Sequence, residues 1–145
     1  MIPDLGTPYL PSWAGAPPHM APLDLPIWRR YLPTAEKRWT TVYYDAALGA
    51  GAAAPDSATA EQLDMWQRIT RLRADAIALG PDGWELIEVR HQAGPGAIGS
   101  LHTYLTLWKA DPPDKRPVRA ILVTNATTVD LIVSAEALGI TIDVV

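Results

Sequence analysis

Asp75, Glu88 and Arg90 are the residues of this chain whose types and spacing could do chemistry. They sit in the stretch Arg-Ala-Asp-Ala-Ile-Ala-Leu-Gly-Pro-Asp-Gly-Trp-Glu-Leu-Ile-Glu-Val-Arg, residues 73–90. Two runs of alternating apolar residues flank Gly80-Pro81-Asp82-Gly83, the pattern of a β-hairpin with a tight, glycine-bracketed loop. If Leu79 pairs with Trp84, antiparallel register places Asp75 directly opposite Glu88. Directly opposed residues share a face, with β-carbons roughly 4.5–5.5 Å apart. By the strand period of two, Trp84, Leu86, Glu88 and Arg90 also point to one side. The pattern therefore predicts two carboxylates and a guanidinium in one small patch. Like charges that close need a cation between them. A divalent metal held by hard oxygen ligands is one such cation, and a neighbouring arginine is the other.

The elements that must position this patch follow from periodicity and punctuation. Trp39 to Asp45 alternates aromatic and β-branched residues and reads as a strand. Ala47 to Ala58 is rich in Ala and Gly and reads as a link or exposed loop. Thr59 or Ser57 can cap a helix from about Ala60 to Leu72. Its Leu63, Trp66, Ile69 and Thr70 fall on one side, with Glu61, Asp64, Arg68 and Arg71 opposite. After the hairpin, Ala97 to Lys109 forms a helix whose stripe is Ala97, Leu101, Tyr104, Leu105 and Trp108, ended by Pro112-Pro113. Val118 to Thr124 is a continuous apolar run, as a parallel strand buried on both faces would be. Thr127-x-x-Asp130 opens a last helix that ends at Gly139, and Ile140 to Val145 is a final strand.

Asp75 and the Glu88-Val89-Arg90 triplet, followed by a helix, resemble the Asp…Glu-x-Lys signature of the PD-(D/E)XK nuclease superfamily. The resemblance spans Arg73 to Val123. It implies a single α/β domain of restriction-endonuclease-like fold, with a mixed sheet of about five strands flanked by helices. It also implies Asp75 and Glu88 as ligands of a catalytic Mg2+, Arg90 in the place of the motif lysine, and Tyr104 beside the active site. Relatives with a Gln four residues before that Tyr have Ser100 there in this chain. A further Glu on a preceding helix would fall to Glu61, although its i,i+3 and i,i+4 charge partners also suit a solvated helix face.

Residues 1–26 differ from the domain expected over 27–145. Seven of the 14 prolines fall there, among Ile2, Leu5, Tyr9, Leu10, Trp13, Met20, Leu23 and Leu25, and only Asp4 and Asp24 are charged. Such a segment is extended, and its apolar content demands a surface to lie on. That surface is its own domain or, as we expect, a neighbouring subunit, with Tyr9, Leu10 and Trp13 making the contact. Arg29, Arg30, Lys37 and Arg38 surround Trp28 and Tyr31, a composition suited to a subunit interface or to phosphate. Trp28, Arg29, Arg30 and Tyr31 accordingly join the expected partner-binding set.

The 145 residues suffice for one core. Twelve basic against 16 acidic residues give a net charge of −4, which supplies no global attraction to DNA. The chain has no cysteine, hence no disulfide, thiolate metal site or cysteine nucleophile. His19, His91 and His102 have no ligand spacing among themselves and read as surface or partly satisfied histidines, not metal ligands. No stretch reads as a signal peptide or membrane span, so the expected location is a virion or the host cytoplasm. Two functional readings follow. In the first, Arg90 fills the metal's place and the domain resembles the small nuclease-like proteins of tailed bacteriophages. It would be a virion assembly component such as a head–tail adaptor, forming a homo-oligomeric ring with portal or tail neighbours and needing no cofactor. In the second, the chain is a Mg2+-dependent DNA endonuclease.

Overall fold

The computed structural model describes residues 1–145 as a mixed six-stranded sheet with helices on both faces. The strands are β1 (Pro8–Tyr9), β2 (Thr41–Leu48), β3 (Leu72–Gly80), β4 (Gly83–Arg90), β5 (Val118–Thr124) and β6 (Ile140–Val144). They lie side by side in sequence order. β1 to β4 pair antiparallel, and β5 and β6 add in parallel. The helices are α1 (Leu25–Ala35), α2 (Ala60–Thr70), α3 (Pro95–Ala110) and α4 (Val129–Ala137), with a short 3-10 turn at Glu36–Arg38. No helix is long and apolar enough to cross a membrane.

The β3–β4 hairpin has the register expected from its loop, with Leu79 opposite Trp84 and Gly80 opposite Gly83. Gly83 sits at φ +114°, and a β-carbon there would collide with the Pro117 carbonyl, so the turn needs glycine on both counts. From that turn, alternation divides the side chains of β4 between two cores. Trp84 and Leu86 face a cluster with Ile77, Leu122 and the α3 residues Ala97, Leu101, Tyr104, Leu105 and Trp108. Ile87 and Val89 face a second cluster with Val42, Ala76, Val123 and the α1 residues Ile27, Trp28, Tyr31 and Leu32. The α3 stripe read from the sequence is thus buried in full.

Several expectations are corrected. The sheet has six strands, not about five, because the N-terminal segment contributes β1. That segment lies on its own domain: Pro8 and Tyr9 pair with Tyr43 and Val42, and Asp4 and Ala47 exchange backbone hydrogen bonds of 2.9 Å. Tyr9 and Trp13 then stack around Tyr44, with ring centroids 4.4–5.7 Å apart. The physical reason is that β2 would otherwise be an edge with unpaired backbone groups, and a short proline-bearing strand can pair on one side only. The boundary at 26/27 falls within the first turn of α1, which accepts Pro26 where no helical N–H is required. Trp28 and Tyr31 are core residues, 1% and 2% exposed, and therefore cannot face a partner. Leu10, Arg29 and Arg30 remain exposed. The α4 cap is Thr128, whose Oγ1 accepts from Leu131 N at 3.2 Å, one residue later than the sequence suggests.

If Trp13 is part of this domain, Trp13→Ala should cost about 2 kcal/mol of folding stability, as a half-buried aromatic does. Urea denaturation followed by circular dichroism checks this. An unchanged midpoint would contradict the docking of residues 1–13 on β2.

Candidate functional site

The site forms where the β3–β4 ladder ends. Pairing runs from Gly80 opposite Gly83 as far as Ala76 opposite Ile87, and β2 pairs with Ala74 and Ala76 but skips Asp75. The Asp75 side chain takes over where the backbone ladder stops: its Oδ2 accepts from Val89 N at 2.8 Å. Arg90, two residues along from Glu88, turns its guanidinium back over both acids. Its Nη1 donates to Asp75 Oδ2 at 3.0 Å and to the Val89 carbonyl at 2.9 Å, and its Nη2 contacts Glu88 Oε1. Sequence and structure agree on these three residues as one group.

A fourth member was not foreseen. Asp24, the residue before α1, is buried beside them with Oδ2 4.0 Å from Arg90 Nη1 and Oδ1 accepting from His91 N at 2.7 Å. The available signal was its isolation: it is one of only two charges in an apolar segment, placed directly before a helix. Tyr104, expected beside the acids, projects from α3 and donates from its hydroxyl to the Arg73 carbonyl at 2.9 Å. Burial, then the negative charges of Glu88 and Asp75, hold that hydroxyl well above the usual phenol range. Glu61 is exposed on α2 and is not part of the group, and no histidine side chain joins it.

Three carboxylates surround one guanidinium, so the charges do not balance. Glu88 is 1% exposed and its Oε2 has no hydrogen-bond partner. Burial, reinforced by the charge of Asp75, pushes Glu88 up to about 8 despite the pull of Arg90. Burial also raises Asp75, against the hydrogen bond from Val89 and the attraction of Arg90. Burial therefore favours the protonated form of both acids over what an exposed carboxylate would show. A divalent ion bridging Asp75 and Glu88 does not fit this arrangement, because the guanidinium occupies the space between their oxygens.

Of the four basic residues around Trp28 and Tyr31, Arg38 is placed differently from expectation. Arg38 is not free to meet phosphate: its Nε bonds both oxygens of buried Glu85 at 3.0 and 3.1 Å, and its Nη2 donates to Tyr31 Oη at 2.7 Å. Arg119 Nη2 approaches Glu85 Oε1 at 2.6 Å, and Trp39 Nε1 completes the set. This second polar group is built on the other face of β4, and no local pattern in the sequence marks it, because its members are distant along the chain. The chain matches no protein-family model, no curated protein and no solved structure.

The Glu88 proton makes stability pH-dependent with a defined sign. The native state keeps a proton that an unfolded Glu, at 4.5, has lost, so stability is full below that value and falls as pH rises towards about 8. The urea midpoint of the wild type should fall between about pH 5 and pH 8, and Glu88→Gln should remove most of that slope. Equal slopes in the two proteins would contradict the assignment.

Proposed function

We propose that this chain is a PD-(D/E)XK-like domain in which its own arginine has replaced the metal, and that it serves particle assembly instead of DNA cleavage. The observation that carries the reading is the position of Arg90, bonded to Asp75 and in contact with Glu88. A motif lysine can lose its proton and help activate water. A guanidinium stays protonated in proteins, and its planar fork suits gripping carboxylates. Asp75 Oδ2 accepts from both Arg90 and Val89 N, which suits a structural acid. The mixed sheet, the hairpin bearing both acids and the following helix bearing Tyr104 support the restriction-endonuclease-like fold within this reading.

The particle in question, on the resemblance, is a tailed bacteriophage, with the domain acting as a head–tail adaptor or a similar virion component. Small size and net negative charge suit a protein partner better than DNA. The N-terminal segment covers the edge of its own β2, with Leu10 left exposed. The Mg2+-dependent endonuclease reading has one observation of its own, the unpartnered Glu88 Oε2 in a cluster with surplus negative charge.

A cleavage assay separates the two. With Mg2+ or Mn2+, and duplex or single-stranded DNA, the wild type should show no cutting above background. Wild-type cutting that Glu88→Gln abolishes would overturn the proposal. Cutting by Arg90→Lys alone would support a site closed by its own arginine.

A further inference from the structure

Helix α2 has good local credentials and no tertiary partner. Thr59 and Gln62 form a reciprocal capping box at its start, with bonds of 3.2 and 3.0 Å. Yet none of its residues is buried: Met65 is 61% exposed, Ile69 69%, Leu63 42% and Trp66 37%. An 11-residue helix is marginal on its own in water, and an apolar patch of this kind marks an interaction surface. The helix is tethered rather than packed. Trp66 Nε1 donates to the Ala52 carbonyl at 3.0 Å, and Ala52 N donates to Thr70 Oγ1 at 2.9 Å. Between α2 and the loop before it runs a groove of about 410 Å3, lined by Ala54, Pro55, Ala58, Met65, Trp66 and Ile69.

The charges beside the groove indicate what covers it. On the helix surface, Glu61, Met65 and Arg68 follow one another at spacings of four and three and so share a flank. That flank is acidic at its start, with Glu61 and Asp64, and basic at its end, with Arg68, which is exposed and paired only to Asp64 at 2.7 Å. Two such helices packed antiparallel about a twofold axis near Met65 bring Glu61 of each against Arg68 of the other. A parallel pair would set like against like. A surface that complements itself only after a half-turn is what a closed dimer requires.

We propose that α2 is the interface of a twofold homodimer, its helices antiparallel, with Ile69 of each copy entering the groove of the other. The proposal does not depend on the reading of the Arg90 site, and its test does not involve cleavage.

Sedimentation velocity of the full chain over a range of concentrations should show a dimer that dissociates on dilution. Ile69→Glu, at an exposed position, should leave the circular dichroism spectrum unchanged and weaken the dimer about tenfold or more. Glu61→Arg and Arg68→Glu should each weaken it, and the two together should restore it. The chain has no cysteine, so Met65→Cys should give a disulfide-linked dimer on oxidation. A monomer at all concentrations, or a dimer indifferent to Ile69→Glu, would overturn the proposal. Failure of the paired charge reversals to restore the dimer would overturn the antiparallel arrangement.

Discussion

Arg90 is held by carboxylates from three separate parts of the chain, and the geometry at this end of the sheet depends on that contact. Asp24 stands before α1, Asp75 sits in a gap of the β3 ladder, and Glu88 projects from β4 towards α3. Taking these groups out of water costs several kcal/mol per ion before any attraction is counted. Hydrogen bonds from Val89 N to Asp75 and from His91 N to Asp24 offset part of that cost. Removing the guanidinium would leave negative charges facing one another across a few ångströms. The cation that meets the acids in this arrangement is part of the chain itself.

The strand β4 carries two buried glutamates on opposite faces, and the two are balanced in opposite ways. Glu85 faces the α1 side, where two arginines and the Trp39 indole converge on one carboxylate. Arg38 continues that network through Tyr31 to Asp143 on β6, with a Tyr31–Asp143 bond of 2.6 Å. Glu88 faces the α3 side, where one arginine serves three acids and an oxygen is left over. An acid satisfied twice over is a brace. The other is left with one oxygen unpaired beside the other acids.

The sequence made the local arrangement legible and the tertiary one only in part. The hairpin register was readable because two glycines fix the turn and strict alternation fixes the faces, so Asp75, Glu88 and Arg90 had to converge. Asp24 was not readable, because its place depends on how α1 packs against the sheet, and no local pattern encodes that. The N-terminal segment announced that it was extended and apolar but not whose edge it would cover. The unpaired edge of β2 answers that question, and only the assembled sheet reveals the edge. Helix α2 shows the converse case: periodicity identifies an apolar side without stating what lies against it.

A crystal structure of the chain grown with manganese would show directly whether the Arg90 guanidinium or an ion sits between Asp75 and Glu88. Anomalous scattering at the manganese edge would locate any bound ion without reference to the surrounding density. No anomalous peak is expected between Asp75 and Glu88, with the Arg90 guanidinium resolved in contact with both. A manganese ion bridging the two carboxylates, with Arg90 swung out to solvent, would contradict it.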